Sequence, residues 1–435
     1  MRYLSLAILL LLTLPAQSQT LTELWKKYGS QEFDEVLSQA KALEKNEPEN
    51  IELKFLLGRV YTDIEMPDKA LPYLLYVGQN AKSFTQAWAW AYLGTVYFQM
   101  GDYPQAKNYL QKTISLNVTP NVTRFAINKS TLFGFANAYN DFITKETQHI
   151  IFHFHPELIK TGLDTSAFMK ERENAFTAIN KFFTASVPKK IDFFVWNSQE
   201  ALTTTTGSKY PYSMPAFSVC QTVYNQTAGH ELTHVISHHS DKILQKSAMI
   251  NEGTAVYFDQ EKINRLQHAR TVVRNAGLIS ITLKEFWNGS NIDGKVLDAV
   301  TGAFIEYLIE KKGKDKFLQL FRDQTYENAV RVYGSDFSSM EAGFVKSLLS
   351  ISTLAVAKIS DDAINGVIEK NNKSDQYYKI LILLDGKPVT RAVLEKTDPA
   401  KIKNITVLKS KEEIKAYTTM DINGVLLVSL KDGKL

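Results

Sequence analysis

With 435 residues the chain is long enough for about two to four domains, and its 44% hydrophobic and 22% charged content is that of an ordinary globular protein. Its 50 Lys and Arg nearly cancel 46 Asp and Glu, and the resulting +4 argues against nucleic acid or an anionic membrane surface as partner. The single cysteine, Cys220, rules out an intramolecular disulfide and is expected to be a small packed residue.

At the N-terminus, Arg2 precedes a mostly apolar run from Leu4 to Leu14. Ala16-Gln17-Ser18 then places small residues around a cleavage point before Gln19. This is the pattern of a secretory signal peptide over residues 1–18. The run is about half of the ~20 residues that span a bilayer, and no later stretch is long and apolar enough. The mature chain is therefore expected to be exported, without a transmembrane anchor. Export combined with a single cysteine points to a bacterial periplasm or the cell exterior.

Residues 19–143 have helical spacing and an internal repeat. Leu57-Gly58 and Tyr61 recur as Leu93-Gly94 and Tyr97 at an offset of 36, and Ala70 recurs as Ala106. Val36 and Pro48 mark a more worn copy before them. The pattern resembles tetratricopeptide repeats, in which small residues let paired helices approach and Tyr and Leu fill the contact. The resemblance covers roughly 28–120, with a capping helix expected near 124–142. It implies a surface for a protein partner, or else a spacer for the next domain.

After Lys145 the pattern turns strand-rich. His149-Ile150-Ile151-Phe152-His153-Phe154-His155 reads as a strand with its three histidines on one face. A half-exposed strand face accounts for them more simply than a second metal site. A helix is expected at Thr165–Thr184 and a strand at Lys190–Trp196. Gln199–Pro215, with its threonine run and two prolines, reads as loop. Ala216–Tyr224 reads as a short extended segment, placed where an edge strand could pair with a substrate backbone.

His230-Glu231-Leu232-Thr233-His234 reads H-E-x-x-H. On a helix, its two histidines lie one turn apart on one face and can share a Zn²⁺ at about 2.0–2.1 Å. The glutamate between them can take a proton from water activated by the metal. A catalytic zinc needs a third ligand. Ser237 and Ser240 stand where H-E-x-x-H-x-x-G-x-x-H would require Gly and His, which excludes that class. His238 lies on the same helical face but at the wrong spacing. Glu252, 18 residues past His234 in Ile250-Asn251-Glu252-Gly253-Thr254-Ala255, supplies the ligand, with small neighbours suited to close packing against the first helix.

The joint pattern resembles the gluzincin peptidases, most closely the secreted members called peptidase MA-like, over roughly 146–350. The resemblance implies that His230, His234 and Glu252 are the metal ligands and that Glu231 is the general base and later proton donor. Relatives often use a Tyr on a following helix to steady the oxyanion. In this chain that position holds Asp298, on a helix expected over Val296–Lys311 and stopped by Lys311-Lys312-Gly313. Tyr257 and Tyr307 are the nearby alternatives.

Beyond residue 365, strands are expected at Ile380–Leu384, Ile402–Leu408 and Gly424–Leu430, with an Asp385-Gly386 turn and a short helix at Lys411–Tyr417. Leu384-Asp385-Gly386-Lys387-Pro388 and the two later strands resemble the plug domain of TonB-dependent receptors. No barrel sequence comes after them, so transport is not implied.

The expected architecture is multidomain. It comprises a signal peptide (1–18), an all-α tetratricopeptide superhelix (19–143), an α+β gluzincin-type zinc peptidase domain (144–350), and a helical linker with a small α+β plug-like domain (351–435). The expected activity is zinc-dependent hydrolysis of peptide bonds in a peptide or protein substrate. The alternative is a non-catalytic envelope scaffold whose metal site is vestigial or structural.

Overall fold

The computed structural model describes residues 20–435 apart from 260–262, 279, 289–291, 350–379, 409–410, 412–413, 415–416, 419–420 and 431–435. The expected signal peptide, the linker up to 379 and much of the helix expected at Lys411–Tyr417 lie outside the described residues. Among the described residues the protein is mostly helical, with two mixed sheets. It divides into two compact units, Met1–Glu173 with Ser186–Gln226, and Asn174–Ala185 with Thr227–Leu435.

The first unit opens with α1 (20–29), α2 (Phe33–Glu44), α3 (Ile51–Asp63), α4 (Pro67–Asn80), α5 (Ser83–Gln99), α6 (Tyr103–Leu116) and α7 (Pro120–Leu132). Asn50, Asp102 and Thr119 each accept a hydrogen bond from a backbone N–H in the first turn of the next helix, and proline sits in the first turn of α4, α6 and α7. The repeat expected from sequence is a repeat of contacts. A Cβ on Gly58 would lie 2.7 Å from Leu74, and one on Gly94 would lie 2.6 Å from Leu110. Tyr61 stacks on Tyr73 at 5.9 Å, and Tyr97 on Tyr109 at 5.5 Å. The capping helix starts at Pro120 and ends at Leu132, earlier than expected, because Pro120 fits the first helical turn and Gly134 adopts a positive φ of 76° just beyond the end.

A five-stranded sheet comes next, in the order β1-β2-β3-β5-β4, from β1 (Ile143–Glu146), β2 (Ile150–Phe154), β3 (Ile191–Trp196), β4 (Tyr212–Met214) and β5 (Val219–Val223). β2, β3 and β5 run parallel, and β1 and β4 are antiparallel edges. α8 (Pro156–Lys160) and α9 (Thr165–Phe183) lie between β2 and β3 in the chain. Two expectations change here. Gln199–Pro215 is not all loop: α10 (Gln199–Thr206) forms because Ser198 caps its start, Leu202 is buried and Gly207 ends it at φ 79°. The expected substrate-pairing edge is also misplaced, since β5 has a partner on each side and the edge belongs to the short β4.

The last repeat helices and the sheet of this unit share a core, while the earlier helices pack in a cluster of their own. Phe98 of α5 stacks on Phe133 at 3.8 Å, and both belong to a buried cluster with Tyr139, Phe194, Trp196 and Val219. Buried Asp192 on β3 ties the layers together, accepting from Tyr103 Oη of α6 at 2.9 Å and from Lys189 Nζ at 2.5 Å. The chain position 143/144, expected as a domain boundary, lies at the start of β1, and the cluster around Phe98 includes residues on both sides of it.

The second unit contains α11 (His230–His238), α12 (Ala248–Tyr257), α13 (Arg265–Asn275), α14 (Leu283–Asn288), α15 (Gly294–Arg322), α16 (Tyr326–Tyr333) and α17 (Asp336–Leu349). α15 is broken at Gly313, whose φ of 81° supplies the expected stop. Phe182 and Phe183 pack on Phe258, Phe317 and Phe321. A second sheet, in the order β7-β6-β9-β8, comprises β6 (Ile380–Leu384), β7 (Lys387–Pro388), β8 (Ile402–Leu408) and β9 (Gly424–Leu430), with α18 (Arg391–Glu395) before β8. Asp385 and Gly386, at φ 45° and 79°, make the tight β6–β7 turn.

Candidate metal centre

α11 carries the H-E-x-x-H sequence as a regular helix, so His230 and His234 share a face and their rings meet edge-on at 5.1 Å. α12 brings Glu252 to the same point. Its Oε2 lies 3.4 Å from His230 Nε2 and 3.4 Å from His234 Nε2. Two ligand atoms at tetrahedral positions around Zn²⁺ are about 3.3 Å apart, given bonds of about 2.0–2.1 Å. The donor set and the spacing both fit the ion. His230, His234 and Glu252 are brought together, all half-buried, while His238 lies outside this group and packs its ring on His239 at 5.0 Å. Glu231 comes directly after His230 on α11, half-buried and close enough to raise the His230 pKa.

The outer nitrogens of both histidines are also held. His230 Nδ1 lies 3.2 Å from Asp259 Oδ1, which in turn accepts from Thr227 Oγ1 at 2.9 Å. A carboxylate there fixes the proton on Nδ1 and leaves Nε2 to face Glu252. The Asn251 carboxamide meets His234 Nδ1 at 3.1 Å. In the structure it is the amide nitrogen Nδ2 that faces Nδ1, and the same nitrogen donates to Glu252 Oε1 at 3.4 Å; turned over, the carboxamide oxygen would accept from Nδ1 and free His234 Nε2 in the same way.

The electrostatics arise from this packing. Burial disfavours charge on His230, but hydrogen bonds to Asp259 and Glu252 outweigh it and hold the pKa well above the ordinary range. Burial pushes the Glu252 carboxyl up, yet its histidine hydrogen bonds win and hold it below the usual carboxylate range. Asp298 is pushed up by burial and by the charges of Glu252 and Asp259, against the pull of His230.

Sequence reasoning missed Asp259, Asn251 and Gly229. A Cβ on Gly229 would lie 1.7 Å from the Phe258 carbonyl oxygen. Only glycine lets the backbone at 258–259 close onto the start of α11, which delivers Asp259 to His230. The readable signals were the glycine immediately before H-E-x-x-H and the asparagine immediately before Glu252. The close approach expected between Gly253 and α11 goes instead to α15. A Cβ on Gly253 would lie 2.9 Å from the Thr301 backbone, and one on Gly302 would lie 2.3 Å from Val256. Tyr257 and Tyr307 are half-buried, Tyr257 meeting the Phe258 ring at 4.8 Å and Tyr307 the Phe344 ring at 5.6 Å.

The strand histidines do not converge. His149 pairs with Glu173, His153 Nε2 lies 3.0 Å from Asp192 Oδ1, and His155 Nδ1 accepts from the Glu157 N–H that starts α8. Two carboxylates from distant elements therefore account for two histidines that have no acidic neighbour in the sequence.

Residues 87–118 match the family model of the tetratricopeptide repeat. The match covers α5 and α6, the helix pair in which Gly94 meets Leu110 and Tyr97 stacks on Tyr109. No curated protein matches the chain. The tetratricopeptide repeat is a protein-interaction module, and among the described residues no helix is long and apolar enough to cross a membrane.

Proposed function

We propose that this protein is an exported zinc metallopeptidase that hydrolyses peptide bonds, with Glu231 as its general base. The observation that carries the reading is the convergence of His230 Nε2, His234 Nε2 and Glu252 Oε2 at 3.4 Å spacing, beside the helix that also bears Glu231. A structural site has no use for such a base. When bound, the ion would polarise the scissile carbonyl and bring the pKa of water toward about 7. Glu231 takes the proton from the attacking water and delivers it to the departing amine. Asp259 and Asn251 hold the two imidazoles so that neither turns away from the shared point. The repeats would engage a substrate or partner protein. The C-terminal sheet, with its resemblance to receptor plug domains, is proposed as an accessory domain.

One observation favours the rival reading, a binding scaffold with a vestigial site. Asp298, where relatives commonly present a tyrosine hydroxyl, is a carboxyl group that feels the charges of His230, Glu252 and Asp259. Metal removal separates the two readings. Purified protein should contain one zinc per chain and cleave members of a peptide library. Chelation should abolish cleavage, and stoichiometric zinc should restore it. Metal-loaded protein that cleaves nothing would favour the scaffold.

A further inference from the structure

The metal centre depends on how α12 is set against α11, and the loop between them, residues 239–247, is fastened to a distant part of the chain. The fastening point is 322–324, where α15 ends and the chain leads into α16. The Leu244 N–H donates to the Arg322 carbonyl at 2.7 Å, and the Gln324 N–H donates to the Gln245 carbonyl at 2.9 Å. Asp241 and Arg322 add an exposed ion pair, which contributes little. Gln324 itself is only 1% exposed. Its Oε1 accepts from the Ser247 N–H at 2.9 Å, and its carbonyl accepts from Trp287 Nε1 of α14 at 2.7 Å.

Ser247 is the residue from which α12 starts. Its carbonyl accepts the Asn251 N–H at 2.9 Å, yet among the described residues its own side chain caps nothing. In a capping box, the N–H of the residue before a helix is held by a Glu or Gln three positions on. Here that position is Ile250, and Gln324 supplies the missing acceptor from 77 positions away. Gln324 Nε2 is buried with no hydrogen-bond partner among the described residues. An unpaired buried donor is costly, so the worth of an amide at this point lies in the bond from Oε1 to Ser247. One turn beyond Ser247, Asn251 meets His234 Nδ1 at 3.1 Å, and Glu252 Oε2 lies 3.4 Å from each histidine Nε2. Metal–ligand distances must hold to about 0.2 Å, so a small slip of α12 would misplace the third ligand.

We infer that Gln324 is a positioning residue for the metal centre. By capping Ser247 it sets where α12 begins, and so where Glu252 and Asn251 stand against the histidines of α11. The inference rests on the reading of that centre as a zinc site.

The test measures zinc affinity of the full mature chain by competition with a chromogenic chelator. Gln324→Met keeps the size of the side chain and removes the acceptor. Gln324→Glu keeps an acceptor at the same point. The Met variant should bind zinc about tenfold more weakly than wild type, and the Glu variant no more weakly than wild type. The d–d absorption of bound Co²⁺ at saturating metal should change in the Met variant and stay as in wild type in the Glu variant, since it reports the ligand geometry. Circular dichroism establishes that each variant is folded. If Gln324→Met loses structure, Gln324→Asn takes its place, being one methylene too short to reach Ser247, with the same loss expected. Wild-type affinity and spectrum in the folded acceptor-less variant, or an equal loss in Gln324→Glu, would overturn the inference and leave the zinc reading standing. A wild-type chain that binds no zinc would overturn both.

Discussion

Close approach is achieved differently in the two units. In the repeats, Gly58 and Gly94 face the leucine side chains Leu74 and Leu110, at 2.7 and 2.6 Å from an added Cβ. At the metal centre, Gly229 and Gly253 face backbone: the Phe258 carbonyl at 1.7 Å and Thr301 at 2.9 Å. A side chain can change rotamer, whereas a helix backbone can move only by shifting the element that carries it. The repeats are therefore built with tolerance at their helix–helix contacts. The proposed metal centre is built without it, as would suit three ligand atoms held about 3.3 Å apart around an ion.

The largest effect that would expose this difference is at Gly229. Gly229→Ala should cost about 3 kcal/mol or more and abolish stoichiometric zinc binding, because the backbone bearing Asp259 must retreat from His230. Thermal unfolding and metal analysis of the purified variant check this. A variant that keeps wild-type stability and zinc content would remove the contrast.

Asp259→Ala probes the same junction without displacing backbone. Zinc affinity should fall about 10- to 100-fold while the fold is kept, as expected for a carboxylate that orients a ligating histidine. Competition with a chromogenic chelator measures it, and unchanged affinity would show that Asp259 does not orient His230.

Gly94→Ala should have the smallest effect. Leu110 must shift, which should cost about 1–3 kcal/mol, with zinc affinity at the wild-type value. A change in zinc affinity equal to that of Gly229→Ala would mean that the two kinds of junction are not distinct.

The features legible in the sequence were local ones. The 36-residue offset comes from neighbouring helices, and H-E-x-x-H from one helical turn. β6 and β9 coincide with apolar runs, and β8 with a stretch that mixes β-branched and polar residues. Illegible features depended on residues brought together from afar. Asp259 acquires meaning only when the chain folds back onto His230, 29 positions earlier. α10 was obscured by a threonine run of poor helix propensity, although its Ser198 and Gly207 caps were readable. The position of the sheet edge depended on β4, a three-residue strand too short to announce itself.

The most direct test of the central claim is peptide cleavage by zinc-loaded wild type and by zinc-loaded Glu231→Gln. The two proteins should bind equal zinc, since Glu231 is not proposed as a ligand. Wild type should cleave members of a peptide library, and the variant should be slower by about 10²- to 10⁴-fold. Equal cleavage by both, or cleavage by neither with the metal in place, would contradict the assignment of this centre as a peptidase.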